Sequence, residues 1–349
     1  MLFTGDIALP SPSIRLPKNL PQGKTWIGNL EGCVVKHGNE YLKDSGVFND
    51  FETIKQLRQM VPFKAFGIAN NHLMDFADVQ TTLNNASELE VPVFGAGNCL
   101  KQAQQSLIVT DEEESVYRLL AFGWGNISCS LATKMRQGVN PYTKANVLFC
   151  VEEALKQKEP VVCFMHWNYE LEAYPQPYDR QLAHELIDMG VCAVIGCHAH
   201  RVQPVEFYKG RPIVYGLGNF LFCQGQYCRG GLRFPQFCEE EYVFEISDGG
   251  EKFHLHYFKY DPKKNGLEFE KSIQVKPDME FVGKAIFSGF SAKEYEAWFK
   301  KNRTQKTLLP IFRSKESELS YLIKSVWIKT RGTLIVMLSK LNIKRYRTK

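Results

Sequence analysis

No stretch of the 349-residue chain approaches the roughly 18 consecutive apolar residues that a membrane-crossing helix needs. The opening MLFTGDIAL runs straight into a strand pattern, with no basic n-region, apolar h-region or cleavage site, so secretory export is not expected. Paired cysteines are also missing. The ten Cys are scattered, and Cys163 in VVCFMH and Cys192 in VCAVIG lie inside apparent buried strands. Thiols in that setting usually pack, which fits a reducing cytoplasm and excludes a disulfide framework. Cys223, Cys228 and Cys238 lack the spacing of a structural zinc knuckle. There is no G-x-S-x-G elbow and no P-loop, and GAG at 95–97 lacks the third glycine and acidic partner of a dinucleotide site. Serine hydrolase, nucleotide triphosphatase and dehydrogenase readings therefore fall away.

Charge is scarce in one place and one sign only. The net +5 over the whole chain is too small to argue for nucleic acid. From Tyr321 to Lys349, however, there are eight Lys or Arg and no Asp or Glu. That tail mixes Trp327, Leu334, Ile335, Val336, Met337 and Leu338 with its cations, a pattern that suits a helix on an anionic membrane surface and equally a helix docked on its own domain. Gly332 would weaken either helix midway. The expected location is the cytoplasm, or the inner membrane face through the tail.

What is present is an alternation of apolar runs and helical spacing. Strands are expected near 1–5, 24–28, 63–69, 91–94, 106–109, 116–122, 160–165, 191–195 and 212–217, with helices over 48–60, 78–89, 143–158 and 178–190. This is an α/β layout with helices covering a sheet. After Cys238 the texture changes: two alternating strands flank Asp248-Gly249-Gly250, a hairpin signal, and basic helical segments follow at 292–303 and 315–343. The expected division is a domain over 1–262 and a basic helical appendage over 275–349.

Polar clusters repeat at the ends of the strand patterns. Gly5-Asp6, Leu30-Glu31, Asn70-Asn71-His72, His166, Cys197-His198-Ala199-His200 and Leu217-Gly218-Asn219 each follow an apolar run. Ligands in open α/β sheets bind outside the carboxyl ends of strands, so six such clusters can converge on one rim. Together they offer two carboxylates, amides and four imidazoles, a donor set that suits one or two divalent ions such as Mn, Fe, Zn or Mg better than a thiolate site does. Hydrolysis is the natural reaction class. His254 and His256, which share the His-x-His spacing, are explained by strand alternation and are read as structure.

The segments GDIAL, GNLEG, FGIANNHLMDF, FGAGN, FMHWNYELEAYP and LIDMGVCAVIGCHAHRVQPVEFYKGRPIVYGLGNFLF occur in the order seen in the CapA family of capsule and poly-gamma-glutamate synthesis proteins, over about residues 1–225. That family resembles a branch of the calcineurin-like metallophosphoesterases. The resemblance implies a four-layer α/β/β/α sandwich, metal ligands at Asp6, Glu31, Asn71, His166, His198 and His200, and a general acid at His72 oriented by Asp75. It also puts Trp167 and Asn219 near the substrate, and it implies an anionic polymer or envelope precursor as partner. The chain departs from most metallophosphoesterases, which open with Asp-x-His, by carrying Asp6-Ile7-Ala8, and Glu31 stands where their second motif has Asp. Two functions are expected in competition: a metal-dependent hydrolase of a phosphoester or amide-linked cell-envelope substrate, and a polymer-binding assembly or export factor that does not cut.

Overall fold

A computed structural model describes residues 1–12, 15–305 and 308–340. Every strand and helix anticipated within those residues is found, with ends shifted by a few residues. The cationic end of the tail, residues 341–349, lies outside the described residues.

Two mixed sheets carry the structure. In spatial order the eight-stranded first sheet runs Gly266–Gln274, Lys252–Asp261, Glu240–Ser247, Leu2–Ala8, Trp26–Leu30, Phe63–Gly67 and Val93–Phe94, and Asn219–Phe222 pairs beside the end of Leu2–Ala8. The six-stranded second sheet runs Val205–Tyr208, Arg211–Val214, Ala193–Cys197, Val161–His166, Val116–Gly123 and Leu107–Thr110. Its central strands are parallel and buried along their length, which explains why their sequences read as unbroken apolar runs.

Side-chain alternation divides the core in two. Val162, Phe164, Leu119, Ala121 and Ile195 face one way and join Phe3, Ile27 and Phe66 of the first sheet in one apolar cluster. Phe3 and Phe164 meet edge to face across it, with centroids 6.0 Å apart. Val161, Cys163, Met165, Leu120 and Phe122 point the other way, into a second cluster with the helices Lys144–Leu155 and Pro177–Met189. Helix Pro177–Met189 starts with Pro in its first turn and stops at Gly190, whose φ of 112° suits glycine. Asp50 and Asp78 cap Phe51–Met60 and Val79–Glu88 by accepting from Thr53 and Thr81 amides.

The region after the hairpin shares this second core. Strand Gly266–Gln274 occupies the expected 262–275 boundary as the edge of the first sheet, and beyond it Ala285, Phe287, Tyr295, Phe299 and Phe312 are buried with the helices named above. Helix Glu318–Lys340 runs through Gly332 without a break. Its Tyr321 hydroxyl accepts from the Trp124 indole at 2.6 Å, and the Trp327 indole donates to the Leu308 carbonyl at 2.8 Å.

Parallel pairing fixes which residues meet at the rim. Asp6 is in register with Asn29 and Asn219, and His166 with Cys197. This requires close backbone approach beside Asp6, where a methyl group on Gly5 would lie 1.9 Å from the Gly218 carbonyl oxygen. The clash is with backbone, which cannot swing aside as a side chain would. Gly5→Ala is therefore expected to cost more than about 3 kcal/mol of stability, measured by urea unfolding, whereas Gly289→Ala, with no atom within 4 Å of its added methyl, stays near wild type.

Candidate metal centre

Asp6 and Glu31 reach the rim fully buried. Asp6 is engaged: Asn29 Nδ2 donates to Oδ1 at 2.6 Å and the His198 amide to Oδ2 at 3.1 Å. Glu31 is not. Neither of its oxygens has a hydrogen-bond partner, yet His200 Nε2 lies 3.7 Å, His72 Nε2 3.8 Å and His166 Nε2 4.0 Å from Oε1. Asn70, next to the expected ligand Asn71, positions that carboxylate through its backbone. Its side chain donates to the Leu30 carbonyl at 2.8 Å and accepts from the Gly32 amide at 3.0 Å, clamping the chain on both sides of Glu31.

The imidazoles are ordered by neighbours. Asn71 Oδ1 lies 2.8 Å from His166 Nε2, and Asn219 Oδ1 lies 2.9 Å from His200 Nδ1. His198 and His200 adopt φ of 90° and 53°, the irregular backbone that lets residues two apart turn toward one place. The rings of His166 and His198 sit 4.8 Å apart. Burial holds both well below the usual histidine range, each pushed further by neighbouring imidazoles, so both are neutral donors. Burial is also the main cause that raises the Glu31 carboxyl well above its usual range, with the Asp6 charge adding to it.

Glu31, His166 and His198 form one group with ligand atoms within 4.8 Å of one another, and Asp6, Glu31 and His200 form a second. Glu31 belongs to both. The unpartnered Glu31 oxygens and the unpartnered His198 Nδ1 are the acceptors a cation would satisfy, and the mixed oxygen and imidazole set fits a divalent ion. His72 lies at the edge of these groups with Nδ1 2.6 Å from Asp75 Oδ2, and both residues line a cleft of about 1010 Å³ that His198 and Asn71 also line.

Two expectations need correction. Trp167 is fully buried, with its indole donating to the Tyr215 carbonyl at 3.0 Å on the helix-covered side of the second sheet. Following His166 on the strand, it points to the opposite face and cannot meet a substrate at the rim. Asn219 is likewise buried, and its amide is occupied by His200. Asn29 was not singled out from the sequence; its signal was the pairing of Leu2–Ala8 with Trp26–Leu30, which puts it beside Asp6. Glu170, a solvent-reachable carboxylate on the cleft wall, was missed too. His254 and His256 stand apart, flanking Glu245 at 4.0 and 3.0 Å, and all ten cysteines are free.

Two stacked mixed sheets with a buried carboxylate and imidazole centre at their strand ends define an α/β protein whose strand-end groups could hold metal ions. Residues 15–224 match the family described as bacterial capsule synthesis protein PGA_cap, and the chain belongs to that family. It is 30% identical over 204 residues to the PGA biosynthesis protein CapA of Bacillus subtilis (strain 168), covering 57% of this chain and 53% of that protein. It is 30% identical over 186 residues to the capsule biosynthesis protein CapA of Bacillus anthracis, covering 50% and 43%. The chain thus spans about half the length of these relatives. Among solved structures, the calcineurin-like phosphoesterase YfkN from Bacillus subtilis aligns over 94% of this chain and 98% of its own at 9% identity, with a TM-score of 0.41.

The protonation states give a signed prediction. Burial and the Asp6 charge raise the Glu31 carboxyl well above its usual range, so ligation competes with a proton there, whereas burial holds His166 and His198 well below theirs and leaves them no proton to lose. Mn²⁺ binding at neutral pH should therefore release protons, and affinity should fall as pH falls. Calorimetry in buffers of different ionisation enthalpy measures this; net proton uptake contradicts it. His166→Ala and His198→Ala should each lose bound metal by elemental analysis.

Proposed function

We propose that the chain is a metal-dependent hydrolase in bacterial capsular polymer synthesis, acting on a phosphoester or amide-linked envelope precursor. The observation that supports it is the His72–Asp75 pair beside the Glu31-centred donor groups. In this reading the sheets and helices form the four-layer α/β/β/α sandwich of the metallophosphoesterases, and Asp6, Glu31, Asn71, His166, His198 and His200 hold one or two divalent ions. A cation held there would polarise the scissile phosphoryl or carbonyl group and acidify a water.

The chain's own residues would handle the proton. Asp75 accepts from His72 Nδ1, which fixes the ring; it also accepts from the Val47 amide at 2.9 Å, so its own position is held. His72 Nε2 then donates to the leaving group in the cleft. Binding without cutting is the rival function, and one residue favours it: the fully buried methyl of Ala8 stands where most metallophosphoesterases have an imidazole ligand.

His72→Ala should lower kcat by roughly 100- to 10,000-fold on phenyl phosphate, and much less on 4-nitrophenyl phosphate, whose leaving group needs no proton. Equal losses on both would remove the acid role. Protein that binds metal and polymer but hydrolyses no phosphomonoester, phosphodiester or γ-glutamyl amide selects the binding factor instead.

We also infer contact with an anionic membrane. Leu319, Leu322, Ile323, Val326, Leu334 and Met337 form an exposed stripe along helix Glu318–Lys340, on a segment without acidic residues after Leu319. No helix among the described residues is long and apolar enough to cross a membrane, so the contact would be at the surface. Flotation with phosphatidylglycerol vesicles should carry the protein, and pure phosphatidylcholine should not. Equal recovery with both, or with neither, refutes it.

A further inference from the structure

The cleft over the metal centre has a second wall from a part of the chain outside the family match. His72, Asp75 and His198 line one side, and Lys329, Arg331 and Thr333 of helix Glu318–Lys340 also line it. These cations are not neutralised within the fold: among the described residues no carboxylate oxygen lies within 4.0 Å of the Lys329 ammonium or the Arg331 guanidinium. Glu170, which lines the same cleft, forms no ion pair with either.

Two buried donors there also lack acceptors. Arg331 Nε and Asn126 Nδ2 have no hydrogen-bond partner, and both residues line the cleft. Leaving a buried donor unpaired is costly. A planar guanidinium, an ammonium and a carboxamide on one wall match the oxygens of a phosphate or a carboxylate. The wall is also firmly placed, because Tyr321 and Trp327 tie the helix to Trp124 and Leu308.

We propose that Arg331, Lys329 and Asn126 form a subsite for a second anionic group of the substrate, separate from the group held at the metal centre. This deepens the hydrolase assignment and rests on the cleft being its substrate site. Substrates would be at least doubly anionic. The metal-side group is the one cut, and the helix-side group sets affinity and selects the substrate.

Non-hydrolysable probes test this without relying on turnover. Calorimetry on the full Mn²⁺-loaded chain would compare n-alkylphosphonates with ω-carboxyalkylphosphonates and α,ω-alkylene diphosphonates of graded length. At the best length, a two-headed probe should bind roughly 10- to 100-fold tighter than its one-headed counterpart, the range expected of charge-assisted hydrogen bonds. Whichever head gains more identifies the anion as carboxylate or phosphate. Arg331→Gln should abolish the gain while leaving the one-headed affinity and the thermal midpoint unchanged, and Lys329→Gln should reduce it. No advantage for any two-headed probe, or an equal loss for both probe types in Arg331→Gln, overturns the subsite. If the probe pattern holds but no substrate is cleaved, the subsite stands and the hydrolase assignment fails; if substrate is cleaved but the pattern is missing, the hydrolase assignment stands and the subsite fails.

Discussion

Glu31 is sealed from water with no donor to either oxygen, while three imidazoles stand within 4.0 Å of one of those oxygens. An isolated carboxylate in such surroundings costs several kcal/mol to ionise, and the buried rings of His166 and His200 resist protonation for the same reason, so these two do not neutralise it as a salt bridge would. A positive ion held there would resolve the conflict. The clamp of Asn70 on both sides of Glu31, the Asn29 contact to Asp6 and the Asn219 contact to His200 are amides, which orient charged ligands without contributing charge themselves.

Those contacts depend on backbone shape as much as on side chains. Gly5 lets Leu2–Ala8 lie against Gly218, which puts Asp6 level with Asn219. On the second sheet, a methyl group on Gly196 would meet the Tyr215 carbonyl at 2.0 Å, so the chain entering Cys197 and His198 is pressed against its neighbour in the same manner. Beyond it, His198 and His200 hold left-handed conformations that cost about 1 kcal/mol or more each and are sustained by surrounding contacts. Rigid strands deliver the ligands, and strained turns aim them.

The strand ends were legible because period and burial agree there: in an α/β chain, an apolar run that breaks abruptly into Asp, Glu or His marks a buried strand delivering a polar group to the rim of its sheet. Direction was harder to read. Trp167 follows His166 in the chain, but alternation sends it into the opposite core. Asn29 was hidden inside a strand, since strand pairing, not local pattern, brings it to Asp6. The same limit applied to the tail, where composition alone allowed a membrane-bound or a docked helix. The Trp124–Tyr321 contact, nearly two hundred residues apart in sequence, shows the helix docked.

Docking does not exhaust that helix, because its sides face different surroundings. Ile328 and Gly332 line the cleft with Lys329 and Arg331 flanking them, while Val326 and Met337 lie on the far side of the axis and are exposed. Gly332 looked like a weakness in the sequence, but the helix runs through it and it lines the cleft with His72 and His198. The metal-side residues other than Asp6 lie within the stretch matching the family, as does Asn126, whereas Lys329 and Arg331 lie beyond it. A change in the helix could alter what enters the cleft without disturbing Glu31, because the two walls are joined through Trp124 and the second core and not through the ligands themselves.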